Sequence, residues 1–194
     1  MTRAITGWVL GLALLVGAGP AQAEAVTSQG VEIPATATVA DTELVRFGHG
    51  VARYAGIFRV YVAALYGPGD VPPDDLLDRN VPRRLEITYL RSVAAVDIRE
   101  ATDVVLAEQY SAAERAAFAD RFEAFNALYE DVGEGDRYAY EYHPDGEASR
   151  LYRNGELQGT VSGADFARAY LGIWLGEMPL SDSLKADLLG GSGT

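Results

Sequence analysis

The sequence contains no cysteine, so a disulfide framework, a thiolate nucleophile and a cysteine-based metal site are excluded together. Histidine is nearly as scarce. His49 and His143 are far apart and fit no metal-binding spacing, and no metal is expected. Positive charge is in short supply: 16 Lys and Arg stand against 28 Asp and Glu, a formal net charge of −12. That balance argues against nucleic acid and against an anionic membrane surface. No apolar run is long enough for a transmembrane helix. No serine sits in a nucleophile-elbow pattern, and no glycine-rich phosphate loop precedes a helix. Hydrolase and nucleotide chemistry are therefore disfavoured, and no cofactor is expected.

What is present begins with a secretory signal over residues 1–23. Arg3 supplies its positive end, Trp8 to Val16 its apolar run, and Ala21-Gln22-Ala23 its small-residue cleavage site. The mature chain is then one domain, residues 24–194, of 171 residues (194 minus 23), with a net charge of −13 once Arg3 is gone. At that length a core can form without disulfides. The expected location is periplasmic or secreted. N-terminal sequencing of protein from an exporting host should begin at Glu24; a full-length cytoplasmic product would refute the cleavage.

The chain is organised around Leu44 to Tyr66, LVRFGHGVARYAGIFRVYVAALY. Gly48 and Gly50 permit a bulge or a close backbone approach. Ile57 to Tyr66 is almost entirely apolar and aromatic, as in a strand covered on both faces. Arg53 just before it is expected near the core, where a charge is unfavourable unless something anionic meets it. Residues 24–30 read as a disordered lead, and Val31 to Pro34 as a short edge strand. Gly67 to Pro73 is a turn, and a single helical turn is expected over 74–80. Arg83 to Leu90 alternates as a half-buried strand.

A helix is predicted over 93–110. A second starts at the capping box Ser111-Ala-Ala-Glu114 and carries Phe118, Phe122, Phe125 and Tyr129 on one stripe, read as core packing. Three strands follow at 137–143, 148–153 and 156–161, with Asn154-Gly155 as a two-residue hairpin turn. The last long helix places Phe166, Ala169, Tyr170, Ile173 and Trp174 on one face, expected against the sheet that holds Val60 and Val62. Gly176 stops it, and a short helix spans 181–189. Strand runs with grouped helices indicate an α+β fold, an antiparallel sheet covered on one face by a helical layer.

Several of these segments resemble the chalcone isomerase-like family, in its bacterial secreted branch. The resemblance rests on Gly48-x-Gly50 followed by Arg53 and Phe58-Arg-Val-Tyr-Val-Ala-Ala-Leu-Tyr66, on Gly135-Asp136, and on Tyr142-His-Pro-Asp-Gly146. Gly163-x-Asp165-Phe166, Ile173-Trp-Leu-Gly176, Pro179 and Leu184-Lys185 extend it over most of residues 30–190. It implies an open-faced β-sandwich with the ligand between sheet and helices. In the plant isomerases an arginine after Gly-x-Gly stabilises negative charge on the substrate; Arg53 is the counterpart, with one extra residue, Ala52, before it. The positions of two polar substrate-binding residues correspond to Tyr61 and Ile173, so the cyclase constellation is incomplete. The fatty-acid-binding branch holds a carboxylate with an arginine and a tyrosine.

The resemblance thus implies a ligand site of Arg53, Tyr61 and Ile173 for a small apolar or phenolic anion, such as a fatty acid, bound without catalysis. A cofactor-independent isomerase, or intramolecular lyase, with Arg53 as its catalytic residue is the alternative. A structural or partner-binding domain, in which Arg53 pairs with an acidic neighbour, is the third reading.

Overall fold

Side-chain alternation sets the sheet, and turn chemistry sets its order. A computed structural model describes residues 24–191; the signal-peptide and cleavage expectations lie outside the described residues. The strands are β1 (Val26–Ser28), β2 (Val31–Ile33), β3 (Thr36–Val39), β4 (Thr42–Tyr54), β5 (Phe58–Gly67), β6 (Arg83–Tyr89), β7 (Arg137–His143), β8 (Ala148–Arg153) and β9 (Glu156–Ser162). The helices are α1 (Ala95–Gln109), α2 (Ala112–Asn126), α3 (Ala164–Leu175) and α4 (Asp182–Leu188). Strands β3 to β9 form one antiparallel sheet in sequence order, with α1 and α2 inserted between β6 and β7. The fold is α+β, as the pattern of elements indicates.

Two details differ from expectation. Val26–Ser28 is not a disordered lead but pairs with β2 in a separate two-stranded hairpin. Residues 36–39 form an edge strand, joined to β4 by Ala40 and Asp41 at φ 50° and 61°. That two-residue turn has the left-handed geometry that matches strand twist, built without the Asn-Gly pair that usually announces it. The pair is present at Asn154-Gly155, where φ is 50° and 89° and the turn falls where the sequence places it.

The two faces of the sheet bury different sets. Tyr61, Ala63, Leu65, Leu85, Ile87, Tyr89 and Tyr140 face the helices. Val62, Ala64 and Tyr66 alternate to the other face, where they pack with Ile33, Val39 and Leu44. The β1–β2 hairpin covers only that part of the outer face. On the inner side α3 is the central element: Phe166, Ala167 and Leu171 are fully buried, and Tyr170, Ile173 and Trp174 nearly so. The Ser111 capping box of α2 is complete, with both reciprocal bonds to Glu114.

Candidate functional site

Strand β4 shows why Gly48 and Gly50 are glycines. A Cβ at Gly48 would collide with the Asp187 carbonyl, and one at Gly50 would lie 2.7 Å from the Asp187 Cβ. Helix α4 therefore sits directly on the strand, an approach no larger residue permits. The two glycines face the helical side, and two residues on, Ala52 keeps that parity and is buried in the helix-side core with Tyr61.

Parity decides the fate of Arg53. A strand alternates faces at every residue, so one extra residue moves a side chain to the opposite side. A register shift between Ala52 and Arg53 sets the strand end apart, and Arg53 lies exposed, directly opposite Arg59. The expectation that it lies near the core is corrected: it is in solvent and makes no ion pair among the described residues, so the acidic partner of the third reading is absent there too. Tyr61 is buried, and the Trp174 Nε1–H donates to its hydroxyl at 2.9 Å. Burial pushes the Tyr61 phenol up to about 12. Ile173 is buried in α3. The three residues do not converge on one pocket, since Arg53 is in solvent while Tyr61 and Ile173 are core.

The layer between sheet and helices is occupied by aromatic rings. Phe125, Phe166, Tyr140 and Tyr170 pack at centroid distances of 4.6–5.3 Å for neighbouring pairs. The hydroxyls of Tyr129 and Tyr170 hydrogen-bond one another, and those of Tyr140 and Ser149 do so across 3.1 Å. Burial raises the phenols of Tyr129 and Tyr170 far above their ordinary range. The stripe read as core packing is core.

A different space opens between α1 and α2. It is a groove of about 820 Å³, within the range of small-molecule sites. Leu106, Phe118 and Phe122 give it an apolar floor; Arg99 and Arg115 stand on its walls beside Glu100, Asp103 and Glu123. Neither arginine makes an ion pair among the described residues. Two polar atoms there are buried without a partner: Arg115 Nε, a donor, and Asn126 Oδ1, an acceptor, in a side chain only 8% exposed. Buried polar atoms are normally satisfied by protein or ordered water, so these two are places where a water or a polar ligand atom fits. Helical arginines on a mostly polar helix carry no sequence signal, which is why the reading of the residues missed them.

The open part of the outer face carries a charge ladder. Arg84 bridges Glu86 at 2.7 Å and also pairs with Glu141, while Arg137 meets Glu86 at 3.1 Å. His143 Nε2 lies 3.0 Å from Glu141 Oε2. Cross-strand opposite charges of this kind stabilise a sheet face that the β1–β2 hairpin leaves uncovered.

A family model described as chalcone isomerase-like matches residues 25–190, nearly the whole described chain. The chain belongs to the chalcone isomerase-like family. Among solved structures it is similar to a fatty-acid binding protein of Arabidopsis thaliana. Identity is 15% and the TM-score 0.68, over 86% of this chain and 96% of that one. No curated protein matches.

Proposed function

We propose that this chalcone isomerase-like protein is exported and binds, without catalysis, an apolar molecule with an acidic oxygen head, a fatty acid being the simplest case. The ligand lies in the groove between α1 and α2 rather than beside Arg53. The observation that supports this is Arg115 Nε, an unpartnered buried donor beside an apolar floor, which a carboxylate oxygen can accept from. A guanidinium suits a carboxylate because it offers several aligned donors. The fatty-acid binding protein of the same fold supports the ligand class.

The test is calorimetric titration of a saturated fatty-acid series into wild type, Arg115→Gln and Arg53→Gln. Arg115→Gln should weaken binding by about 1.5–3 kcal/mol, the scale of a hydrogen bond to a charged group. Arg53→Gln should leave it unchanged. Affinity should rise with chain length by about 0.8 kcal/mol per methylene until the floor is covered. Wild type that binds no fatty acid, or an Arg115→Gln protein that binds as well as wild type, would end this reading.

A further inference from the structure

The tip of the β4–β5 hairpin is the most apolar exposed feature among the described residues. Tyr54 is 72% exposed, Ile57 73% and Phe58 52%. Three large apolar side chains on one turn are not the scattered exposure that every surface shows; grouped, they mark a contact surface. Ala55 and Gly56 hold positive φ, so the backbone there is a tight turn that thrusts its neighbours outward.

The tip is also the basic end of an acidic molecule. Arg53 and Arg59 sit directly opposite each other across the two strands. Like charges in that position destabilise a strand pair, and an anion placed between them would relieve the repulsion. Neither forms an ion pair among the described residues, and Arg59 is met by the neutral side chain of Gln29. Arg91, also exposed, lines the shallow depression beside Ile57 and Phe58 together with Arg59; Glu134 is its one acidic member. Three guanidiniums against one carboxylate give the tip a local positive charge. Screening at physiological salt confines surface charges to about 8 Å, so these residues, rather than the overall balance of −12, decide what the tip meets.

We propose that this hairpin is a membrane-docking element. Tyr54, Ile57 and Phe58 insert at the headgroup level of a bilayer containing anionic lipid, and Arg53, Arg59 and Arg91 rest against the phosphates. Aromatic and aliphatic tips ringed by cations suit that interface: the rings enter the acyl boundary, the phenol stays wet, and the guanidiniums pair with headgroups. The site adjoins α1. The Leu90 N–H bonds the Val60 carbonyl at the base of the tip, the chain then enters α1 at Ala95, and Val96 lines the groove. Docking does not require a ligand in that groove.

The experiment is cosedimentation of residues 24–194 with vesicles of phosphatidylethanolamine and phosphatidylglycerol, against vesicles of phosphatidylcholine alone. Wild type should pellet with the anionic vesicles, less so as salt rises, and stay in solution with the neutral ones. The pair Ile57→Ser and Phe58→Ser should lose at least about tenfold in partition. The pair Arg53→Gln and Arg59→Gln should lose about fivefold for each arginine. Because these side chains are exposed, both variants should stay folded, and the arginine pair, freed of its like-charge contact, should melt no lower than wild type. Phe58→Trp should add a fluorescence component that shifts to the blue with anionic vesicles only. Wild type that stays in the supernatant, equal binding to neutral vesicles, or variants that pellet like wild type would each overturn the proposal; so would an unshifted emission from the Phe58→Trp protein.

Discussion

Replacing Trp174 with alanine should remove most of the stability of the domain. The indole is buried on α3, edge-on to Tyr170 at 5.5 Å, and its N–H holds the Tyr61 hydroxyl at 2.9 Å. Truncating such a side chain costs about 3–5 kcal/mol through lost burial and the cavity left behind. The phenol of Tyr61, buried and now without its donor, adds about 1–3 kcal/mol. Small domains have only about 5–15 kcal/mol in total. Urea titration followed by circular dichroism should therefore show a midpoint near zero denaturant or an unfolded chain. Trp174→Phe separates the two contributions, since it keeps most of the volume and loses only the N–H. Adding Tyr61→Phe to it should recover part of the loss, because both partners are then apolar. An unchanged midpoint in Trp174→Ala would place the indole outside the core.

The Trp174–Tyr61 bond links the two elements that the sequence made most legible. The spacing of Phe166, Ala169, Tyr170, Ile173 and Trp174 identifies a buried helix face, and all five are buried. The apolar run after Phe58 identifies a strand covered on both faces, and both cores draw on β5. Periodicity reports burial well when burial is what the residues are for. It was less informative where geometry depends on a single offset. Arg53 differs from an inward-facing arginine by one residue, and neither composition nor apolar context records parity at the end of a strand beside a bulge. The edge strand at 36–39 was missed for a related reason: Ala40 and Asp41 adopt a hairpin turn that their residue types do not advertise.

The groove between α1 and α2 was legible only in outline. Phe118 and Phe122 stood out as an aromatic stripe, and their inner edges are indeed core. What makes the outer edge a candidate site is the absence of partners for Arg115 Nε and Asn126 Oδ1, which is a property of packing and not of residue type. The hairpin tip shows the same limit from the other side. Ile57 and Phe58 open the apolar run that ends at Tyr66, and hydropathy alone assigns them to the interior. Tyr54 and Phe58 pair across the turn at Ala55 and Gly56, yet they and Ile57 remain exposed.

Raising the pH should unfold the protein steeply between about 10 and 12, and the buried tyrosines should ionise only as it does so. Burial pushes the phenols of Tyr61 and Tyr140 up to about 12, from the 10.0 of an unperturbed side chain. The Trp174 N–H on Tyr61 opposes that shift, as do the Arg83 charge and the hydrogen bond shared with Ser149 at Tyr140, and burial outweighs them. A raised phenol favours the neutral form in the folded state, so its contribution is fully present below pH 10. Above pH 10 the unfolded chain gives up protons that the folded chain keeps, and stability falls as pH climbs toward 12. Each tyrosine removes about 1.4 kcal/mol per pH unit, so Tyr61 and Tyr140 together remove about 5 kcal/mol across that window. Tyr89, Tyr129 and Tyr170, all raised by burial, act in the same direction. The total rivals the stability of the domain, which makes the transition cooperative. Phenolate absorbance and near-ultraviolet circular dichroism recorded on one pH titration provide the check. Their main changes should coincide, and Tyr140→Phe should move both to higher pH. If instead most of the phenolate signal develops near pH 10 while the dichroism stays native, water reaches these rings and the sealed aromatic layer is not the core of the protein.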